Sequence, residues 1–228
     1  MLRPTASQED LGHQDEAPLG LRRRHLVSAA LAGLGLAGKA GADEQLRWTA
    51  ADYLGPFYPL HLPNAANNDL TRVAGRSQAA KGRVLYVNGR VLNPRGEPIP
   101  RTQIEIWQAN AVGRYAHPGD TSEAPLDPNF QGFARLHSAA DGSYRFKTIL
   151  PGLYEGRTRH IHFDLRGKNS RLITQMYFEG EARNEDDPLL KLQSPEDRKT
   201  LIARPGTPSA KQETDAMVVS WDIVLAFG

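Results

Sequence analysis

Short runs of alternating apolar and polar residues, each closed by Gly, Pro, Asn or Asp, dominate the chain after Asp43. The runs are "GRVLYVNGRVLN", "TQIEIWQ", "GFARLH", "GSYRFKTI", "HIHFDLR", "RLITQMYFE" and "MVVSWDIVLAF". A period of two sends successive side chains to opposite faces of an extended strand, so each run can offer one face to a core. In "TQIEIWQ" that face carries Ile104 and Ile106. "PRGEPIP" reads as a turn, and Ala140-Asp141-Gly142 as a hairpin turn before "SYRF". Many short strands at this spacing predict an all-β fold, an antiparallel β-sandwich core with long loops and one or two short helices. One helix has a readable start: Ser194 as N-cap, Pro195 in the first turn, then Glu196 and Asp197. It should end near Ile202, and "EDDPLL" before it reads as loop.

With 228 residues the chain allows one domain of ordinary to large size. Lys and Arg number 28 against 26 Asp and Glu, a net charge of +2. Phosphate backbones need clustered cations, so nucleic acid is not an expected partner. No cysteine is present, which removes disulfides, thiolate metal sites and a cysteine nucleophile. Any metal must then be held by His, Tyr, Asp or Glu.

Residues 1–42 read as an export signal, ahead of a domain over 43–228. A basic start, an apolar run from Leu26 to Ala37 and Ala40-Gly41-Ala42 before Asp43 make the three parts. Arg23-Arg24-His25-Leu26-Val27 resembles the bacterial twin-arginine signal. This predicts a periplasmic or extracellular protein whose cofactor is acquired before export. The other readings are a disordered basic terminus or a short anchor; the apolar run is too short for a stable membrane span.

The densest chemistry lies in "PGLYEGRTRHIHFDLR", residues 151–166. On a strand His160, His162 and Asp164 share one face, while Ile161, Phe163 and Leu165 share the other. Histidines at i and i+2 stand about 6–7 Å apart at Cα, close enough for their rings to converge on one ion. Imidazole suits zinc, copper, iron and nickel alike, so the pair alone does not choose a metal.

Taken in order, "YLGPFYP", "GRVLNPRGEPIPRTQIEIWQANAVGRYAHP", "APLDPNFQGFAR", "DGSYRFKTILPGLY", "HIHF" and "LITQMYFEG" resemble the intradiol ring-cleavage dioxygenases, over about Tyr53 to Ala203. The pattern resembles that of the iron-binding subunit of protocatechuate 3,4-dioxygenase. The resemblance implies one Fe(III) per chain, with Tyr115, Tyr154, His160 and His162 as ligands. It implies a catechol-type aromatic and O2 as substrates, and cleavage between the two hydroxylated carbons to a cis,cis-muconate-type diacid. Tyr154 would also take a substrate proton. Arg157, three residues before His160, would stabilise developing negative charge, and Arg159 would sit at the rim. Gln175, Gly55 and Pro56 would line the substrate pocket. A homo-oligomer is expected, without the long helical dimerisation segment of catechol 1,2-dioxygenases.

The chain departs from the protocatechuate pattern between Tyr154 and His160, where the loop is short and Glu155-Gly156 replaces an expected tryptophan. Arg159 also stands where a small residue is usual. The short loop and Glu155 point to a neutral or bulky catechol in preference to protocatechuate, whereas Arg157 and Arg159 could attract a ring carboxylate. Two other readings compete. One is a non-enzymatic, exported, transthyretin-like β-sandwich binding module. The other is a zinc hydrolase built on His160, His162 and Asp164.

Overall fold

The computed structural model describes residues 45–62 and 68–226. They fall in one compact unit, Gly41–Gly228. The expected export signal over residues 1–42 lies outside the described residues.

Besides two 3-10 turns, the described residues form nine strands and one short α-helix. In chain order they are β1 (Val84–Leu92), β2 (Gln103–Trp107), β3 (Phe133–His137), β4 (Ser143–Ile149), β5 (His160–Arg166), β6 (Arg171–Phe178), α1 (Pro195–Leu201), β7 (Ile202–Pro205), β8 (Met217–Ser220) and β9 (Ile223–Val224). Their hydrogen-bonded order is β3-β2-β5-β6-β7-β8-β1-β4, with β9 also paired to β1. Strand β7 joins the two halves, pairing with β6 at Tyr177 and Phe178 and with β8 at Ser220 and Val219.

The halves face one another across an apolar core. Ile161, Phe163 and Leu165 from β5 meet Leu85, Val87, Phe146 and Ile149 from β1 and β4. The Phe163 ring lies 5.0 Å from Trp221, 6.0 Å from Phe146 and 6.4 Å from Tyr144 between centroids. Ile104 and Ile106 of β2 join the same core. The all-β sandwich expected from the alternation is therefore present.

Some local expectations need correcting. The sheet is mixed: β1 runs parallel to β8 and β9, and β6 runs parallel to β7. The Ala139–Gly142 turn forms, with the Gly142 amide donating to the Ala139 carbonyl at 3.0 Å. It does not make a hairpin, because β3 pairs with β2 and β4 with β1; the turn carries the chain between halves. "EDDPLL" is loop over residues 186–189, as expected, while 3-10 turns at Ala182–Glu185 and Leu190–Leu192 overlap its two ends. The helix is as expected, capped by Ser194 Oγ accepting from the Asp197 amide at 3.1 Å.

An extended arm, residues 45–62, crosses the outer face of β5 and β6. The Asp52 amide donates to the Ile173 carbonyl at 2.9 Å, and Thr174 Oγ1 donates to the Ala50 carbonyl at 2.7 Å. This arm explains why β5 is buried on both faces apart from Arg166. No helix among the described residues is long and apolar enough to cross a membrane.

Candidate metal centre

The register of the antiparallel strands sets the site in rows. His162 of β5 stands opposite Trp107 of β2 and Gln175 of β6, and His160 stands opposite Tyr177. Directly opposed side chains lie about 4.5–5.5 Å apart at Cβ, so these residues must touch. Trp107 stacks on His162 at 4.9 Å with an interplanar angle of 8°. Behind His162 runs Gly55 of the arm, in the left-handed region at φ +76°; a Cβ there would come within 3.0 Å of the imidazole. Gly55 is thus a wall of the histidine's own slot, and Pro56 beside it is exposed.

Two loops bring the tyrosines. Asn110 Oδ1 accepts from the Val112 and Arg114 amides, at 3.0 and 2.9 Å, and shapes the loop before Tyr115. Asp120 then accepts from the Tyr115 amide at 2.7 Å. The second loop is laced onto the first: the Gly152 amide donates to the Asn110 carbonyl at 2.8 Å. Gly113, at φ +83°, packs so close to Leu153 that a Cβ would lie 2.2 Å from its carbonyl oxygen. Tyr154 and Arg157 close a tight turn, with the Arg157 amide donating to the Tyr154 carbonyl at 2.7 Å. Both central residues have positive φ, Glu155 at 41° and Gly156 at 74°.

These loops bring four rings together. Centroids of Tyr115 and Tyr154 are 5.3 Å apart, Tyr154 and His160 5.5 Å, His160 and His162 4.9 Å, and Tyr115 and His162 6.2 Å. The four candidate ligands are thus one cluster. Phe57 covers Tyr115 at 4.8 Å and Tyr58 meets Trp107 edge-on at 5.0 Å, which keeps water from that side.

Protonation follows from partners. His160 Nδ1 lies 2.7 Å from the Thr158 carbonyl, which can only accept, so Nδ1 carries the proton. Nε2 then has a free lone pair and accepts from the Tyr154 hydroxyl at 3.1 Å. Burial, then the nearby Arg157 charge, lowers the His160 pKa to about 3. Burial also holds His162 neutral, helped by His160 and Arg157. Both rings are therefore neutral donors at neutral pH. Burial, followed by Tyr154 beside it, pushes the Tyr115 phenol well up; burial raises Tyr154 as well.

The donor set fits a hard ferric ion. Tyr115 Oη and His162 Nδ1 are buried with no hydrogen-bond partner among the described residues, an arrangement that costs free energy unless something else satisfies the group. A cation reverses the upward push on a phenol and makes a hard anionic donor of it.

Arg157 lies beside the cluster in a buried network. Its Nε donates to Asp187 Oδ2 at 2.8 Å, and Nη2 donates to Gln175 Oε1 at 2.8 Å and to Tyr177 Oη at 3.2 Å. Gln175 Nε2 donates to the Tyr53 carbonyl at 2.8 Å, and Tyr177 Oη donates to Asp52 at 2.8 Å. Gln175 therefore anchors the arm and Arg157. Arg159 points elsewhere, to Glu181 at 3.0 Å and to the Pro151 carbonyl.

Sequence reasoning missed Trp107, Phe57, Tyr177, Asp52 and Asp187. For Asp187 a local signal existed: it precedes Pro188, and its Oδ1 caps the Leu189 and Leu190 amides at 3.0 Å each. The zinc reading is corrected. Asp164 shares the histidines' face but is sealed by Arg166 at 3.0 Å and Arg171 at 2.9 Å. No group of three His, Cys, Asp or Glu side chains suited to a metal occurs among the described residues.

Comparison with known proteins agrees with this geometry. The family model described as "Dioxygenase" matches residues 54–227. The chain is 40% identical over 183 residues to the protocatechuate 3,4-dioxygenase beta chain of Burkholderia cepacia, covering 76% of this chain and 77% of that one. It is 30% identical over 178 residues to the alpha chain from the same organism, covering 72% and 88%. The dioxygenase domain of a dioxygenase carbohydrate-binding fusion from Streptomyces sp. SirexAA-E superposes with a TM-score of 0.61 at 28% identity, over 80% of this chain and all of that one. The non-enzymatic carrier reading falls with these matches. A β-sandwich that gathers two tyrosines and two histidines under one arm, and matches over most of its length, belongs to the intradiol ring-cleavage dioxygenases.

Proposed function

We propose that the chain is an Fe(III) enzyme that opens catechol-type rings between the hydroxylated carbons, inserting both atoms of O2 to give a cis,cis-muconate-type diacid. Tyr115, Tyr154, His160 and His162 would hold one iron per chain. The observation that carries the reading is the buried convergence of two phenols and two neutral imidazoles, with Tyr115 Oη unpartnered among the described residues. Ferric iron held there supplies a hard Lewis acid for the two adjacent oxygens of an ortho-diol.

The surrounding residues have roles that follow from their placement. Tyr115 is buried under Phe57, whereas Tyr154 is only partly buried and rides on a tight turn. Tyr154 is therefore the phenolate that can take a substrate proton at Oη. Arg157 uses Nε and Nη2 on protein acceptors, and Nη1 has none among the described residues. That free donor, on a fixed cation, stabilises negative charge developing on the ring.

The charges at the rim favour a neutral catechol. Arg157 is balanced by Asp187 and Arg159 by Glu181. Glu155 makes no hydrogen bond or ion pair among the described residues, and its charge adds to the upward push on Tyr154 that burial begins. Like charges about 4 Å apart repel by about 4 kcal/mol near a protein surface. Similarity to protocatechuate chains favours the opposite choice, a ring carboxylate. Comparing kcat/KM for catechol, hydroxyquinol and protocatechuate separates the two.

Export by a twin-arginine route and assembly into a homo-oligomer complete the proposal. Changing Arg23-Arg24 to Lys-Lys should trap the chain in the cytoplasm, and light scattering should give a mass above 25.1 kDa. For the reaction itself, catechol with isotopically labelled O2 should yield a diacid with label in both new oxygens. Absence of ring opening, or opening outside the diol carbons, would sink the proposal.

A further inference from the structure

We propose that Asp187 is a positioning residue, one buried carboxylate that fixes both the Arg157 guanidinium and the residue whose carbonyl orients His160. The inference rests on reading the four-ring cluster as a metal centre.

Asp187 has a fully buried side chain. Its Oδ2 accepts from Arg157 Nε at 2.8 Å and from the Thr158 amide at 2.9 Å. Its Oδ1 accepts from the Leu189 and Leu190 amides at 3.0 Å each. Four donors satisfy the carboxylate and lock its plane. The 3-10 turn at Leu190–Leu192 is thereby tied to the turn that carries Tyr154 and Arg157.

Thr158 transmits the constraint. Its amide is held by Asp187, its Oγ1 donates to Asn184 Oδ1 at 3.1 Å, and its carbonyl accepts from His160 Nδ1 at 2.7 Å. A carbonyl on the remote nitrogen fixes which nitrogen a histidine offers to a metal and where it points. Asp187 also fixes which guanidinium donors are left over. With Nε held by Asp187 and Nη2 by Gln175 and Tyr177, only Nη1 has no acceptor among the described residues.

Asp187→Asn keeps the size of the side chain and an acceptor for Leu189 and Leu190, but its amide nitrogen cannot accept from Arg157 or Thr158. In iron-loaded enzyme, loss of iron to a chelator should be about tenfold to a hundredfold faster than in wild type. The visible band should shift, and kcat should fall about a hundredfold with little change in KM. The double variant Arg157→Ala/Asp187→Asn should be about as slow as Arg157→Ala alone. Asp164→Asn, which disturbs a comparably buried carboxylate held by two arginines, should lower Tm without moving the band or the iron-loss rate. If Asp187→Asn does not fold, Asp187→Glu takes its place, keeping the charge one methylene away, with the same expected band shift and faster iron loss. Wild-type band, iron-loss rate and kcat in a folded Asp187 variant, with only Tm lowered, would overturn the inference and leave the metal centre standing. A wild-type chain that takes up no iron would overturn the metal centre and this inference with it.

Discussion

Strand β5 is buried on both faces, and the two faces differ in what burial does. Toward the core, Ile161, Phe163 and Leu165 are fully buried among apolar side chains. Burying each is worth about 1.5–3 kcal/mol. On the other face His160, His162 and Asp164 are equally buried, beneath the arm and between Trp107 and Gln175. Burial there opposes stability unless every polar atom finds a partner. Asp164 does, through Arg166 and Arg171. His162 Nδ1 and the nearby Tyr115 Oη find none among the described residues. One face packs apolar side chains and the other carries the candidate ligands, within a single seven-residue strand.

His162→Ala should break that division most severely. Turnover should drop to background because one of the four proposed ligands is gone, while the apolar face and the fold persist. Iron analysis and circular dichroism on the same sample check both halves of the statement. Phe163→Ala is the converse. It should cost about 3–5 kcal/mol of stability by denaturant titration, yet the fraction that stays folded should keep its iron and its kcat/KM. If Phe163→Ala abolished metal binding in folded protein, the two faces would not be separable.

Two smaller effects sharpen the comparison. Glu155→Gln should raise kcat/KM for protocatechuate relative to catechol by about tenfold, worth about 1.4 kcal/mol. No change in that ratio would show that the carboxylate does not face the substrate. The last effect concerns acid. Burial raises the Asp187 carboxyl, but Arg157 and the Leu190 and Thr158 amides outweigh it, so its pKa lies below the ordinary 3.8. A depressed folded value means that its stabilisation is complete above 3.8 and is lost as pH falls through that lower value. Asp52, linked to the same network through Tyr177, is raised by burial and gives a trend of opposite sign. Asp187→Asn should therefore lose stability less steeply than wild type as pH falls below about 4. Parallel stability curves for the two proteins would contradict this.

What was legible in the sequence was what local periodicity encodes. Alternation placed Ile161, Phe163 and Leu165 on one face of β5 and the histidines on the other, and the Ser194 cap located α1. The four tyrosine and histidine candidates were legible through motif order, and the structure gathers them into one cluster. What stayed hidden depends on partners far along the chain. Asp187 meets Arg157 across 30 residues, and Asp52 meets Tyr177 across 125. No periodicity marks such pairs. The Ala139–Gly142 turn misled for the same reason, since its geometry is local while the pairing of β3 and β4 is decided by β2 and β1. Strand β7 was missed because four residues ending in proline carry too little alternation to register.

The central claim is that the polar face of β5, with Tyr115 and Tyr154, holds iron. It is tested most directly by the metal content and visible spectrum of the purified chain. About one iron per chain and a broad visible band, shifted in Tyr154→Phe, are the predicted result, because ferric iron bound by phenolate absorbs visible light. Colourless protein that stays iron-free after reconstitution would contradict the account.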